Sequence, residues 1–532
     1  MRNRFPRNGK GNYLYLLIAA SLVVLGILLS LLVLGSGRPS GAAEGELMMY
    51  CAAAERLAVE RAAADYEREY GTAVRLQFGG SNTLLSQLQV ARSGDLYLAA
   101  DESYVDLARE KGLVAEKLPV ARMRPVLAVK KGNPKGIRGL DDLLRDDVRA
   151  ALGNPDQPAI GKKMKRVLSE AGLWERVEEH VTDTGVFKPT EPEIANDMAL
   201  GGVDVGVIWD STASRMPKIE AVHTPELDQA VSQVTLGVLT TAKNPTAALH
   251  FARYLAARDR GLKHFAAIGF EPVEGDQWAD VPELTFFAGA VNRRALEPII
   301  KRFEHREGVR VNTVYNGCGI LVGQMKTIEE NQQSGFPDAY MACDVYYLDA
   351  VADMFLDGVR VSNADIVIAV PKGNPKRVES LEDLARPGVR VALGQPEQCT
   401  IGVLSKKLLE AEGLYKKIAA ENVVAQVPSS AMLVPTVTTG SADAVLAYST
   451  DTLAEREKLE VIAIDSPLAK AVQPYSVARQ SDYKHLGARL FATIARSRAD
   501  FEAAGFRWNL DEPGAAKQYP PAAEPSTDAG EP

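Results

Sequence analysis

The sequence has few of the residues that usually carry metal or nucleophilic chemistry. Four cysteines in 532 residues are too few for a disulfide framework, and the six histidines form no close-spaced ligand motif. Neither a phosphate-binding P-loop nor a zinc-protease helix motif occurs. With 61 basic and 69 acidic residues and no basic tract, the chain does not suggest a nucleic-acid partner. We therefore expect no enzymatic activity, no cofactor and no nucleic-acid binding.

One long uncharged run is present, from Tyr13 to Leu34, and it follows the basic residues Arg2, Arg4, Arg7 and Lys10. A bilayer span needs roughly 20 apolar residues, whereas a cleavable signal has an apolar core of about 7–15. We therefore expect residues 1–45 to contain a basic cytoplasmic end, an uncleaved transmembrane anchor and a linker. Basic flanks stay in the cytoplasm, which places the rest of the chain on the periplasmic side of the inner membrane. The triplet Gly41-Ala42-Ala43 leaves cleavage open as the alternative.

Two glycine-rich turns share one pattern and stand 237 positions apart, because Phe78 corresponds to Tyr315 (315 − 78). Each follows a strand-like run and opens a helix-like run; their letters are Phe78-Gly79-Gly80-Ser81-Asn82 and Tyr315-Asn316-Gly317-Cys318-Gly319. The first N–H groups of a helix have no partner within it, and the helix dipole favours an anion there. One such turn is a weak signal, but two in register predict a duplicated ligand-binding module.

Further matched segments extend the repeat over nearly all of residues 46–512. They are Lys131–Lys135 with Lys372–Lys376, Ala151–Gln157 with Ala392–Gln398, and Gly202–Thr212 with Ser441–Asp451. We therefore place a first module at 46–280 and a second at 281–512. Residues 513–532 are rich in proline, alanine and acidic residues, which predicts a disordered tail.

Within each module, short strand-like runs alternate with helix-like stretches. This alternation is typical of an α/β fold with a mixed, mostly parallel sheet. A middle section with its own alternation begins near Asp146 in the first module and near Gly388 in the second. We therefore predict two lobes in each module with a cleft between them. The matched motifs follow strands, which is where open α/β sheets bind their ligands.

Four of these motifs resemble, in order and spacing, those of the periplasmic molybdate-binding protein family of ABC importers, which has the type II periplasmic-binding fold. The matching segments are Tyr50–Ala54, Phe78–Leu84, Gly153–Asp156 and Val203–Trp209, the last repeated at Ala442–Tyr448. The resemblance implies that the chain captures a tetrahedral oxyanion, molybdate or tungstate, and delivers it to the permease of an ABC importer. The whole chain would then be a membrane-anchored tandem solute-binding protein.

The resemblance also implies which residues line each cleft. They are Ala54, Gly80, Ser81, Ile160 and Trp209 in the first module, and Val291, Gly317, Cys318, Ile401 and Tyr448 in the second. By this resemblance, Ser81 and Cys318 occupy the second-loop ligand position. The two isoleucines would offer backbone amides, and the tyrosine would offer a hydroxyl.

Both modules depart from the family pattern. Ala54 and Val291 stand where the family has a serine, Trp209 where it has a tyrosine, and Cys318 where it has a hydroxyl. A thiol is a weaker hydrogen-bond donor than a hydroxyl. Two other roles stay open, namely Ser81 as a helix cap and Trp209 as a wall of the cleft.

Three thiols are particular to the second module. Cys318, Cys343 and Cys399 fall in three matched cleft loops, where the first module has Ser81, Ala100 and Pro158. Small buried cysteines often only fill space, but Cys318 and Cys343 could form a disulfide, or the set could hold a soft metal ion. Two alternatives to oxyanion transport therefore remain: a redox or thiolate-metal protein on the same fold, and a sensor or scaffold with degenerate clefts.

Overall fold

The computed structural model describes residues 45–511. The predicted anchor at Tyr13–Leu34 and the predicted tail at 513–532 lie outside this range. Between residues 45 and 511, no helix has the length and apolar character that crossing a bilayer requires. This part of the chain forms two successive α/β modules, and each has its own hydrophobic core.

The first module contains a six-stranded and a five-stranded sheet, with strand orders β11-β4-β10-β3-β1-β2 and β7-β6-β8-β5-β9. The strands are β1 Leu47–Ala52, β2 Val74–Gly79, β3 Leu96–Ala99, β4 Val114–Met123, β5 Pro125–Lys130, β6 Ala150–Gly153, β7 Val186–Lys188, β8 Val205–Trp209, β9 Ile219–Val222, β10 Ser232–Leu239 and β11 Glu271–Pro272. We call the part of a module around its first sheet the first lobe, and the part around the other sheet the second lobe.

Helices cover these sheets. In the first module they are Arg56–Tyr70, Ser81–Ala91, Glu102–Glu110, Ala159–Glu170, Trp174–Thr184, Glu191–Leu200, Asp210–Ala213, Pro225–Asp228, Pro245–Leu255 and Gly261–Ala266, with short 3-10 turns at Ala53–Glu55 and Leu140–Leu144. Helix Arg56–Tyr70 shows why they form: its buried residues Ala58, Val59, Ala62, Ala63 and Tyr66 lie on one face. It ends at Gly71, whose φ of 70° is favourable for glycine.

The second module has a similar order of strands and helices, but its strands join into one ten-stranded sheet, and the two halves of this sheet belong to the two lobes. Its strands are β12 Glu283–Gly289, β13 Arg310–Asn316, β14 Ala339–Met341, β15 Val359–Pro371, β16 Val391–Gly394, β17 Val423–Val427, β18 Ala444–Tyr448, β19 Leu459–Ala463, β20 Lys470–Val477 and β21 Arg507–Trp508. Its helices are Arg293–Glu307, Cys318–Glu330, Val345–Asp349, Thr400–Ala411, Tyr415–Glu421, Leu433–Thr438, Ser449–Thr452, Lys484–Ala495 and Arg498–Ala503, with 3-10 turns at Ala290–Asn292, Glu382–Ala385, Ser430–Met432 and Leu453–Glu455.

The sheets are mixed, as predicted, but parallel pairs do not dominate them. In the first module β1 is parallel to β2 and β3, and β6 is parallel to β7 and β8. The pairs made by β10, β5 and β11 are antiparallel. The expectation of mostly parallel sheets was wrong because β4, β5 and β10 carry the chain between the lobes, and these strands run against the repeating β-α units.

The crossing between the lobes differs in the two modules. In the second, the continuous strand β15 pairs with β20 along its first half and with β18 and β19 along its second half. In the first, the strand is interrupted at Arg124, which separates β4 from β5. The Arg124 N–H donates to Asp210 Oδ1 (3.1 Å), and its carbonyl accepts from Asp210 N (2.8 Å). Asp210 therefore satisfies the backbone N–H and C=O groups of the residue that interrupts the strand.

A buried cluster of charges joins the modules. The carboxylate of Glu307 accepts from Arg489 Nε of its own module (2.8 Å) and lies 3.5 Å from Arg253 Nη1 of the first module. Asp276 of the first module accepts from the N–H groups of His485 (2.8 Å) and Leu486 (2.9 Å), at the start of helix Lys484–Ala495. Because a buried charge is costly without its partners, this cluster favours one arrangement of the two modules.

Candidate functional site

The glycine-rich turn of the first module connects its two lobes. Asn82 donates from its backbone N–H to Gln157 O (3.0 Å) and from Nδ2 to Asp156 O (2.8 Å), both in the other lobe. A β-carbon on Gly80 would lie 2.7 Å from Gln157 O and 2.9 Å from Pro189 O. Such contacts are too short, so the glycine allows the lobes to close. The first cleft is therefore closed.

The second module closes in the same way. The Gly319 N–H donates to Gln398 O across the cleft at 3.1 Å. A β-carbon on Gly317 would lie 2.6 Å from Gln398 O and 2.7 Å from Pro428 O. The two predicted turns are thus equivalent in structure, and both place a helix N-terminus at a closed interface between lobes.

Ser81 is buried at the first position of helix Ser81–Ala91, and its side chain does not cap that helix. Its Oγ instead accepts from the Ala100 N–H (3.2 Å), and its carbonyl accepts from the Tyr97 hydroxyl (2.7 Å). The helix-cap alternative is therefore not what the structure contains. Ser81 is held against the end of β3, facing the cleft loops of its own lobe.

Ile160 and Ile401 occupy the second position of helices Ala159–Glu170 and Thr400–Ala411, and both side chains are fully buried. Their N–H groups belong to the first turn, where a helix cannot supply partners. A β-carbon on the next residue, Gly161 or Gly402, would lie 2.2 Å from Asn154 O or 2.6 Å from Gly394 O. Each helix start is thus packed tightly against the preceding loop.

An ion pair between the lobes is present in the first module. Lys163 of the second lobe lies 2.7 Å from Asp101 Oδ2 of the first lobe, and its Nζ also donates to Val231 O (2.9 Å). Burial raises the pKa of Asp101, but Lys163, Ser103 and Ser232 outweigh it and hold the pKa at about 2. Asp101 also caps its helix by accepting from the Ser103 N–H (3.1 Å). The same carboxylate therefore caps a helix and holds the two lobes together.

The first cleft contains two buried carboxyl groups that the sequence analysis did not select. Glu55 directly follows Ala54, is fully buried, and has no hydrogen-bond partner for either side-chain oxygen within residues 45–511. Burial raises its pKa well above the usual range, and nearby Glu191 raises it further. Glu191 accepts from the Trp209 N–H (3.3 Å), and burial raises its pKa to about 7 although Thr212 opposes the shift.

The second cleft has different side chains at these positions. Asn292 replaces Glu55, and its Nδ2 donates to the carbonyls of Met341 and Ala342 (3.2 Å each). Ser430 replaces Glu191, and Asp451 replaces the partner Thr212. Burial raises the pKa of Asp451 to about 6, while the hydrogen bond with Ser430 opposes the shift. The acid and the hydroxyl have therefore exchanged positions between the modules.

Tyr448 and Trp209 end the equivalent strands β18 and β8, and both are almost fully buried. Within the described chain, the hydroxyls of Tyr448, Tyr340 and Thr400 have no hydrogen-bond partner. All three lie near Cys318. Tyr340 and Thr400 help to lower the pKa of its thiol, and burial together with the Cys343 and Cys318 thiols raises the pKa of Tyr448. Val291 is the middle residue of the turn Ala290–Asn292, which packs on Ser430–Met432, and Ala54 is the middle residue of the equivalent turn Ala53–Glu55. The second cleft thus gathers buried hydroxyls, whereas the first gathers carboxyls.

The three thiols of the second cleft are free and buried. Cys318 Sγ accepts from the Cys343 N–H (3.1 Å), while Cys399 Sγ donates to Val427 O (3.5 Å). Burial would raise the pKa of Cys318, but its neighbours Cys343 and Tyr340 outweigh burial and lower it, whereas burial raises the pKa of Cys343 well above its usual range. The disulfide proposed from the sequence is absent, and residues 45–511 contain no group of three or more metal-binding side chains.

Sequence reasoning missed Glu55, Glu191, Tyr340, Thr400 and Asp451 as cleft residues. Glu55 and its counterpart Asn292 each follow a residue that was selected, so a comparison of the two repeats one position further would have found them. No comparable signal existed for the two hydroxyls. Their significance lies in being buried near Cys318 without a hydrogen-bond partner in the described part of the chain.

A two-lobed α/β module that closes around helix N-termini defines a solute-binding protein. The chain belongs to the bacterial extracellular solute-binding protein family, whose model matches residues 47–271 and again residues 284–507. It is therefore a solute-binding protein of the ABC-importer type with two tandem modules.

Individual relatives cover about one module each. A binding protein of Haemophilus influenzae is 26% identical over 230 residues, which are 43% of this chain and 92% of that protein. Molybdate-binding protein ModA of Mycobacterium bovis is 25% identical over 250 residues, or 45% of this chain and 92% of the relative. The solved periplasmic molybdate-binding protein of Azotobacter vinelandii has 19% identity and a TM-score of 0.35, covering 42% of this chain and 98% of its own.

Proposed function

We propose that this protein captures a tetrahedral oxyanion of the molybdate or tungstate class for an ABC importer. In this proposal both modules lie outside the cytoplasm, held at the inner membrane by the segment Tyr13–Leu34. The observation that carries the oxyanion proposal is the set of buried hydroxyls at Tyr448, Tyr340 and Thr400, which have no partner within residues 45–511. An oxyanion entering the cleft would accept hydrogen bonds from such groups and from the N–H groups at a helix start.

Leaving a buried hydroxyl without a partner costs about 1–3 kcal/mol, so several in one place favour a ligand that supplies acceptors. The first turn of helix Thr400–Ala411, which includes the Ile401 N–H, adds backbone donors to the same place. Cys318 stands at the start of helix Cys318–Glu330, where a negative charge is stabilised by the helix dipole. The second cleft is therefore our preferred site for a fully ionised oxyanion.

Calorimetry on the full chain with molybdate, tungstate, sulfate and phosphate tests this proposal. Two variants keep one cleft open at a time: Gly80→Ala for the first and Gly317→Ala for the second, because each β-carbon would meet carbonyl oxygens of the opposite lobe. We expect Gly80→Ala to retain molybdate binding and Gly317→Ala to lose it. If folded wild-type protein gives no binding heat with any of the four anions, the oxyanion proposal is wrong.

A thiolate site for a soft metal ion is the second candidate, favoured by one specific contact. A β-carbon on Gly289 would lie 2.2 Å from Cys343 Sγ and 2.8 Å from Cys318 Sγ, so the two sulfurs are at most 5.0 Å apart. Soft sulfur ligands select ions such as Cu(I). If reduced Cys318→Ser protein binds Cu(I) as tightly as the parent, this candidate is excluded.

A further inference from the structure

The two buried glutamates of the first cleft come from opposite lobes. Glu55 lies in the 3-10 turn after β1, and Glu191 begins the helix that follows β7. The turn packs directly against this helix. Three of the four carboxyl oxygens have no hydrogen-bond partner in the described residues. Closing the first cleft therefore brings two carboxyl groups together, away from water.

The charges around this pair do not balance two ionised carboxylates. On the side of Glu55 lie Cys51 and Tyr97, which supply no positive charge. The adjacent Arg56 is exposed and paired with Glu60 (2.8 Å). On the side of Glu191 lies Arg215, whose Nη2 donates to Thr212 Oγ1 (3.2 Å), with Arg61 beyond it. One guanidinium beside two carboxyls leaves one carboxyl uncompensated, and a bound dianion would add to the repulsion.

The matched positions of the second module carry no such pair. Asn292 and Ser430 are neutral, and the side-chain amide of Asn292 is committed to two carbonyls of its own lobe. Asp451, the acid of the second cleft, is bonded to Ser430 within one lobe and has no acidic counterpart at position 292. The difference between the modules is therefore an acidic pair across one cleft and a neutral pair across the other.

We propose that the first cleft binds an oxyanion together with a proton, and so selects monohydrogen oxyanions of the phosphate or arsenate type. The proton lies between Glu55, Glu191 and the ligand. Hydrogen phosphate brings an O–H group that can donate to a carboxylate, whereas sulfate brings acceptors alone. With sulfate, the carboxyl pair, which is ionised while the cleft is open and hydrated, must take up a proton from water as the cleft closes. This inference rests on the proposed function and assigns a different ligand class to each cleft.

The test uses the full chain with Gly317→Ala, so that only closure of the first cleft remains. Phosphate and sulfate are titrated by calorimetry at pH 6, 7 and 8. We expect phosphate to bind more tightly than sulfate, and sulfate itself to lose about tenfold in affinity per pH unit, since one proton must be taken up. Buffers of different ionisation enthalpy should show proton uptake with sulfate.

Two substitutions sharpen the test. Glu55→Gln supplies an N–H donor without a proton, so sulfate affinity should rise at pH 8 and the pH dependence should shrink; Glu191→Gln is the second variant if the first fails to fold. Asn292→Asp in the Gly80→Ala background is the matched control and should impose pH dependence on the second cleft.

The outcomes separate the inference from the proposed function. Equal affinities for phosphate and sulfate without pH dependence, or a ratio unchanged by both glutamine variants, would overturn the inference. Molybdate binding by Gly80→Ala, together with binding of neither phosphate nor sulfate by Gly317→Ala, would also overturn it, because the first cleft would be inert while the proposed function stands. Failure of both variants and of the wild type to bind any oxyanion would reject the proposed function itself.

Discussion

The two clefts of this molecule share a backbone and differ in chemistry. In both, a glycine at the start of a helix meets carbonyl oxygens of the opposite lobe, and the next turn of backbone donates across the cleft. The side chains at equivalent positions differ: Ser81 corresponds to Cys318, Glu55 to Asn292, and Trp209 to Tyr448. Closure is thus a property of the backbone, and ligand choice is a property of the side chains placed on it.

The modules also fasten their clefts differently. The first has the buried Lys163–Asp101 ion pair between lobes, while the position matching Lys163 in the second is Leu404. The acid and hydroxyl of the second lobe exchange places, as Glu191 with Thr212 in one module and Asp451 with Ser430 in the other. Both modules therefore contain an acid paired with a hydroxyl, with the two positions exchanged.

The largest effect should follow from making the first cleft like the second with Lys163→Leu. Removing one partner of a buried pair costs about 3–5 kcal/mol, because Asp101 would be left buried and unpaired. We expect the first cleft to open and the radius of gyration from small-angle X-ray scattering to rise. The reverse change, Leu404→Lys, should form no ion pair in the second cleft. Asp344, which corresponds to Asp101, already accepts from the N–H groups of Tyr346 and Val472. An unchanged scattering profile for Lys163→Leu would show that the ion pair does not hold the lobes.

The glycine variants act on the feature that the clefts share. Gly80→Ala and Gly317→Ala should each weaken closure by about 2–4 kcal/mol, from overpacking together with a strained hydrogen bond between lobes. Both residues have negative φ, so alanine should not strain the open form. Gly323→Ala is the control, because its β-carbon would meet nothing within 4 Å. Ligand titration should show that Gly80→Ala loses affinity at the first cleft, Gly317→Ala at the second, and Gly323→Ala at neither. A loss of affinity with Gly323→Ala would contradict this account.

These glycines show which features the sequence could predict. The repeat, the lobes and the two turns were visible because tight backbone contacts require glycine, and glycine spacing is written directly in the letters. The strand directions were misjudged because alternating helices and strands favour parallel pairing, while β5 and β10 reverse direction to cross between lobes. Glu55 was missed because the resemblance directed attention to Ala54, the neighbouring position. A carboxyl becomes informative only when its burial and lack of partners are known.

A pH-dependent difference should separate the exchanged acids. The pKa of Glu191 is raised to about 7 and that of Asp451 to about 6. An acid with a raised pKa in the folded state stabilises the fold at low pH, and that stability is lost as the pH rises through the folded pKa. Between pH 6.5 and 8, Glu191 should therefore account for more of the loss. Urea unfolding should show a smaller decrease for Glu191→Gln, by roughly 0.6 kcal/mol, than for Asp451→Asn. Equal decreases would mean that the two acids are equivalent.

Tyr448→Phe should change stability and binding in opposite directions. Its hydroxyl is buried and has no partner among residues 45–511, so removing it should stabilise the ligand-free protein by about 1 kcal/mol. Binding of a molybdate-class anion to the second cleft should weaken by about 1.5–3 kcal/mol, because one hydrogen bond to a charged ligand is lost. Tyr97→Phe is the matched control: its hydroxyl donates to Ser81 O (2.7 Å), so its removal should lower stability. Thermal unfolding without molybdate measures the change in stability, and the stabilisation that added molybdate produces measures the change in binding. A lower stability of ligand-free Tyr448→Phe would count against the cleft assignment.

The smallest effect is expected from exchanging the two residues at the starts of the turn helices, Ser81→Cys and Cys318→Ser. Both side chains are buried and similar in size, and each accepts one backbone N–H, from Ala100 or from Cys343. The fold should therefore change by less than about 1 kcal/mol. The clefts should respond differently, because a hydroxyl donates more strongly than a thiol: the second cleft should gain affinity for molybdate with Cys318→Ser, and the first should lose affinity for phosphate with Ser81→Cys.

Thiol titration of denatured wild-type protein should give four free thiols, in agreement with the four free cysteines of the structure. Two titratable thiols would instead identify a disulfide, and Cys318→Ser would then disrupt a covalent link between the second and third cleft loops and destabilise the module by about 2–4 kcal/mol.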